Sequence, residues 1–314
     1  MIRLIVAATL LGLASNQIAP PESGDSGAPG PHSKDFETQV IPVLTKVGCN
    51  SGSCHGAAIG RGGFRLSLLG YDPQADYDSL VNEFEGRRVN RAYPEKSLVL
   101  RKPAMDVDHE GGLRLVPDGD GFRVLHDWIA AGTPRESHRK LHKLEVTPRT
   151  QWLAATGKSF SIRVTAHFHH GDLSEAEDVT RWTVFTPTDP VAVRVDSQGE
   201  VTALARGQSS IMIRFLGEVA SVMVTVPIGD ESAPPVARPR ANFIDDHINR
   251  TLDELRLPHS PRAEAATLAR RVYLDLLGTL PDVAEVDDFV AATRTEDRGQ
   301  LIERLMDRPE FVDL

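Results

Sequence analysis

Apolar residues recur at helical spacing at both ends of the first hundred or so ordered positions. Between Lys34 and Lys46 they are Phe36, Val40, Val43 and Leu44, running on to Val47, with Ser33 placed as N-cap and Glu37 close behind. Pro42 falls inside this segment and predicts a kink or a delayed start, because proline removes a backbone donor. Phe122, Leu125, Trp128 and Ile129 repeat the same period and stop at Gly132 and Pro134. The stretch between these helices is rich in glycine and poor in long apolar elements. Side chains alone would give it a thin core, which suggests that something else fills it.

From Lys143 to Ile228 the period changes to two. Strand-like runs at Phe160 to Phe168, Val191 to Val195, Ser210 to Phe215 and Val219 to Val226 alternate with Gly, Asp and Pro turn signals, the pattern of a β-sandwich. Residues 229–240 are Pro-rich and nearly free of bulky apolar side chains, and read as a linker. Beyond it, Phe243, Ile244, Ile248, Leu252 and Leu255 repeat helically, as do Leu268, Val272, Leu276 and Leu277, then Leu301, Ile302, Leu305 and Met306. The expected architecture is multidomain: an all-α unit over 34–135, an all-β sandwich over 143–228 and an all-α segment over 241–314. The third is expected to be truncated, since the chain closes on apolar residues at Phe311, Val312 and Leu314. A length of 314 residues agrees with two or three units.

The N-terminus reads as a secretory signal peptide over 1–14. It opens Met-Ile-Arg, is apolar from Leu4 to Leu13 and ends in a small-x-small site at Gly12-Leu13-Ala14. The apolar run falls short of the ~20 residues that cross a bilayer. Residues 15–33, rich in Pro, Gly and Ser, predict a flexible leader. Export to the periplasm or cell surface is the expected localisation, with no transmembrane span once the signal is removed. A net charge of -9 gives no general attraction to phosphate backbones, so nucleic acid is not an expected partner.

The chemistry concentrates in Gly48-Cys49-Asn50-Ser51-Gly52-Ser53-Cys54-His55-Gly56, which holds both cysteines of the chain. A c-type haem needs two thiols for its thioether bonds and a histidine directly after the second. Four residues separate the thiols here instead of the usual two, so the small turn formers between them must bring Cys49 back towards Cys54. The residues leave three alternatives open: covalent haem, a Cys49–Cys54 disulfide in an oxidising compartment, and a shared metal. Zinc is disfavoured for want of four protein ligands. Gly56-Ala-Ala-Ile-Gly-Arg-Gly-Gly lacks the Gly-Lys-Ser/Thr of a phosphate loop, and no Gly-x-Ser-x-Gly or His-Glu-x-x-His motif occurs.

The cysteine motif, the following Gly-Gly-Phe-Arg-Leu-Ser-Leu-Leu-Gly-Tyr-Asp-Pro and the later His109-Glu-Gly-Gly closely resemble the planctomycete-type cytochrome c domain over Phe36 to Pro134. Residues Val179-Thr180-x-Trp182 and Gly199 to Gly207 resemble a bacterial immunoglobulin-like domain of group 2. Asn242 to Phe311 resemble the N-terminal part of a helical domain of unknown function that accompanies such cytochromes. The first resemblance implies haem c, with its iron, bound through Cys49 and Cys54 with His55 as proximal ligand. For the distal position, His109 is preferred and Met105 is the alternative, because the resemblance includes His-x-Gly-Gly; an open sixth site is a third option. Phe64, Leu66, Leu68, Tyr71 and Trp128 are candidates for the haem pocket or the core. Arg61, Arg65, Arg87 and Arg88 are candidates for the propionates, since guanidinium pairs well with carboxylate.

His167, His169 and His170 read as an exposed strand face, and the many C-terminal aspartates as the wet faces of helices. Two functions follow. One is an exported electron carrier with an unknown redox partner protein, its β-sandwich available for cell-surface or polysaccharide contact. The other is an adhesion or scaffold protein with a Cys49–Cys54 disulfide.

Overall fold

The computed structural model describes residues 34–137, 139–171, 173–229, 240, 242–294 and 298–313. The expected signal peptide and leader, and nearly all of the expected linker, lie outside the described residues. Helices come first, then strands, then helices again, in the order expected.

Asp35 caps the first helical segment by accepting from the Thr38 amide at 2.7 Å. The five residues Phe36–Val40 are π-helical, and only at Ile41 does regular helix α1 (Ile41–Lys46) begin, with Pro42 in its first turn. There its missing amide costs nothing, so the proline delays the helix and does not break it. Three further helices follow: α2 (Pro73–Tyr77), α3 (Leu98–Arg101) and α4 (Asp120–Ala130). Their buried faces meet around Trp128, fully enclosed, with Phe36 5.2 Å from it, and Leu44, Leu80, Leu100 and Leu125 complete the surroundings. This part therefore has a close-packed side-chain core, against the expectation of a thin one.

The β region holds β1 (Lys140–Thr147), β2 (Thr150–Trp152), β3 (Ser159–Ser161), β4 (Arg163–His170), β5 (Leu173–Asp178), β6 (Val184–Pro187), β7 (Val193–Val195), β8 (Glu200–Ala203), β9 (Gly207–Phe215) and β10 (Glu218–Val226). They form three sheets in the orders β1-β4-β5, β2-β10-β9-β6 and β3-β8-β7. The run expected as one strand from Phe160 to Phe168 is divided at Ile162, whose amide leaves the ladder to bond Gly199 O at 2.8 Å. Val164, Ala166 and Phe168 point inward, while His167 and His169 lie on the outer face. The His167 ring meets Glu145 at 3.2 Å, and His169 stacks on His142 with ring centres 4.2 Å apart.

The chain divides into two compact units. One comprises the described parts of Met1–Gln151, Thr156–Ala205 and Ser209–Val224, and the other Trp152–Ala155, Arg206–Gln208 and Thr225–Leu314. The first helices and most of the β region therefore share one unit. Trp182 and Leu216 pack on the helical core, Arg181 pairs with Asp120 at 2.9 Å, and Ser137 donates to Asp35 at 2.8 Å. Lys46, at the end of α1, donates to Thr183 O at 2.5 Å and Ser197 O at 2.7 Å, with its ammonium 5.1 Å from the centre of the Phe185 ring.

In the second unit α5 (Phe243–Glu254), α6 (Ala265–Leu277), α7 (Val283–Ala292), α8 (Arg298–Met306) and α9 (Glu310–Asp313) follow one another. Tyr273, Leu277, Phe289, Leu301 and Leu305 form its core. Arg308 joins Glu285 at 2.5 Å to Glu310 at 2.6 Å. Helix α7 was not expected from the periodicity, because its acidic pair Asp287-Asp288 masks a short apolar stripe.

Burial holds the Lys46 amine down to about 8 from an ordinary 10.5, with Asp196 opposing. Below about pH 8 both folded and unfolded chains carry the ammonium, and the folded chain bears the cost of burying it; above about 10.5 neither carries it. Stability of the first unit should therefore rise between these pH values and lose this component as pH falls through 8. Urea denaturation of wild type and Lys46→Met across that window should show the increment in wild type alone; parallel curves would refute the assignment.

Candidate functional site

Helix α1 ends by folding the chain back on itself. The Cys49 amide bonds Leu44 O at 2.9 Å, the Ser51 amide bonds Gly48 O at 3.2 Å, and the amides of Cys54 and Gly56 both bond Ser51 O at 3.0 Å. The His55 amide then reaches Cys49 O at 3.0 Å, so the four residues between the thiols form a closed turn. Cys49 and Cys54 are both free thiols, and they are near enough to influence each other electrostatically.

A small hairpin sets the His55 ring. Arg61 and Phe64 exchange backbone hydrogen bonds at 2.9 and 3.0 Å across Gly62 and Gly63, whose φ values of +58° and +71° fit the two-glycine turn that joins such a pair. The carbonyl of Phe64 also lies 3.0 Å from His55 Nδ1, and the two rings lie 4.5 Å apart. A carbonyl can only accept, so Nδ1 carries the proton and Nε2 keeps its lone pair. His109 repeats the arrangement, its Nδ1 3.0 Å from Gly112 O within a 109–112 turn. A Cβ on Gly111 would stand 2.6 Å from His109 Cε1, so this glycine is what admits the ring.

The two imidazoles face each other at 6.3 Å between centres and 16° between planes. Both belong to the lining of one cavity of about 850 Å³, together with Cys49, Cys54, Leu44, Phe64 and Val99. That volume lies within the ~300–1,000 Å³ usual for cofactor sites. Five cations line it, Arg61, Arg87, Arg88, Lys102 and Arg114, against the carboxylates Asp108 and Glu110. Burial lowers the His55 pKa, and the neighbouring His109 and Arg88 push it further down, so a neutral ligand-ready imidazole is favoured. Burial, with Cys54 beside it, pushes the Cys49 thiol up to about 11.

Sequence and structure differ at several positions. Met105, on a turn with φ +62°, is 47% exposed and is not among the residues lining the cavity. Leu68 and Tyr71 are exposed and, with Arg65, border a different cleft of about 1100 Å³. Leu66 and Trp128 are core. Lys102 and Arg114 were missed, because only the folded loop turns them towards the cavity. Among the described residues no group of three or more His, Cys, Asp or Glu is arranged to hold a metal ion. Also among them, no helix is long and apolar enough to cross a membrane.

Residues 243–313 match the family described as "Protein of unknown function (DUF1549)", named PSCyt2. This agrees with the resemblance drawn for the third segment. The match covers under a quarter of the chain and includes none of Cys49, Cys54, His55 or His109. An S-layer-related protein of Niallia circulans is similar over 73 residues at 33% identity, which is 23% of this chain and 4% of that protein.

A thiol raised to about 11 is almost wholly protonated near neutral pH, and the thiolate is the reactive form. In chain free of cofactor, alkylation of Cys49 by iodoacetamide at pH 8 should run roughly a hundredfold slower than that of an ordinary thiol. The rate should climb as pH approaches 11. Peptide mass spectrometry of timed samples reads the rate, and fast labelling of Cys49 at pH 8 would contradict its burial.

Proposed function

We propose that the cavity between His55 and His109 holds haem c, and that the protein is an exported electron carrier. The spacing of the two imidazoles carries this reading. A metal–imidazole bond is about 2 Å and a ring nitrogen stands about 1 Å from its ring centre, so two imidazoles on opposite sides of one ion have centres about 6 Å apart. The 6.3 Å separation agrees, and because both Nδ1 atoms serve carbonyls the neutral tautomer of each ring has its lone pair on Nε2. Free thiols at Cys49 and Cys54, at the same cavity, suit two thioether tethers.

In this reading His55 is the proximal and His109 the distal ligand. The cationic excess of the lining would balance the two propionates, with Arg61, Arg87 and Arg114, which form no ion pair with a carboxylate among the described residues, best placed for it. Bound haem would supply a one-electron iron couple. With His55 and His109 both holding it, the group would have a potential below that given by a His/Met pair and would favour electron transfer over peroxide chemistry. Leu44, Phe64 and Val99 keep water from the site. The β region and the C-terminal helices serve for positioning against a redox partner or for cell-surface or polysaccharide contact. The S-layer-related description of the Niallia circulans protein is in keeping with a place in the cell envelope.

Expression of the full chain in a host competent for haem attachment should give a band that keeps haem stain after denaturation, with intact mass raised by one haem. A colourless band of bare mass would favour the scaffold reading with its Cys49–Cys54 disulfide. In stained protein, His109→Ala should abolish the six-coordinate ferric spectrum and Met105→Leu should preserve it. Gly111→Ala should resemble His109→Ala, because a Cβ 2.6 Å from the ring forces it aside.

A further inference from the structure

Arg88 is nine-tenths buried at its side chain yet faces only one carboxylate, Glu83 at 3.2 Å, which is itself half exposed. Its guanidinium is committed elsewhere. One Nη donates to Ser79 O at 2.5 Å and the other to Gly63 O at 2.8 Å, which ties the 79–83 segment to the Arg61–Phe64 hairpin. Its carbon lies 4.5 Å from the centre of the Phe64 ring and 5.0 Å from that of Phe84. Phe64 in turn touches the His55 ring and presents the carbonyl that His55 Nδ1 binds.

We infer that Arg88 is a positioning residue for His55, acting through Phe64, and not a propionate ligand. Its planar fork satisfies two carbonyls in different segments at once, and its face lies against the aromatic ring between it and the imidazole. Lysine has one donor centre and no planar face, so it can keep the charge without keeping this arrangement. Three glycines surround the hairpin, at Gly60, Gly62 and Gly63, all with positive φ. Such a chain has little stiffness of its own. The Arg61 amide holds the Phe64 carbonyl within the hairpin, and Arg88, gripping Gly63 O and the Phe64 ring, holds that hairpin in place against the imidazole.

The inference rests on the haem reading. It is tested on full-length, haem-loaded chain by the rate at which ferric protein takes up cyanide, which must displace an imidazole. Arg88→Lys and Arg88→Met should each bind cyanide about 10- to 100-fold faster than wild type, the range typical for loss of a group that orients a metal ligand. Should Arg88→Met fail to fold, Arg88→Lys decides alone. Rates for haem-loaded Arg88→Lys within about twofold of wild type would overturn the positioning role while leaving the haem reading intact. Wild-type chain that takes no haem would remove both.

Discussion

Everything around the cavity depends on how two histidine rings are held: each spends its Nδ1 proton on a backbone carbonyl only 3.0 Å away. A free imidazole exchanges tautomers and rotates, and one whose Nδ1 is committed does neither. The commitment costs the chain regular structure, since both carbonyls come from tight glycine-bearing turns. It fixes the tautomer, so that in each neutral ring the lone pair is on Nε2, at one cavity. Burial of His55 and the charges near it add to the same outcome by disfavouring the imidazolium.

The loops that provide these carbonyls need an anchored base, and the helical core supplies it. Trp128 donates to Pro134 O at 2.9 Å and packs on Phe36, so the start and end of the helical part close on one ring system. Helix α1 leaves that core and delivers Cys49 directly. Its last residue, Lys46, is fastened to two carbonyls of the β region. The Cys49–Cys54 turn is thus braced from within by the helical core and from the end of α1 by strand-bearing chain. This is the physical content of finding both parts in one compact unit.

Much of this could be read from the residues alone, and the parts that could not have identifiable causes. Cys49, Cys54 and His55 announce themselves because their spacing is local, and Trp128 and Leu125 because helical period marks a buried face. The order of helices, strands and helices follows from a change of period near Lys143. Arg65 and Arg88 were grouped with Arg61 and Arg87 as candidate propionate partners, yet one borders another cleft and the other is buried against Phe64. Sequence shows that an arginine is near a motif, but the direction of a long side chain depends on contacts far along the chain. Tyr71 and Leu68 failed as pocket residues for a related reason. The segment after Leu66 turns away through the left-handed Leu69, a conformation that no periodicity encodes.

Met105 and His109 show how geometry adds to pattern. Met105 and His109 stand four residues apart in one loop, and by chemistry alone either can bind iron. A ligand must reach the cavity, and the backbone decides that reach. At Met105 the chain takes a left-handed turn that leaves the side chain half exposed. At His109 one following glycine, Gly111, omits the Cβ that would otherwise collide with the ring, so the imidazole can fold back over its own turn beside His55. Gly111 matters here for what it omits. A side chain at position 111 would displace the ring even with His109 in place.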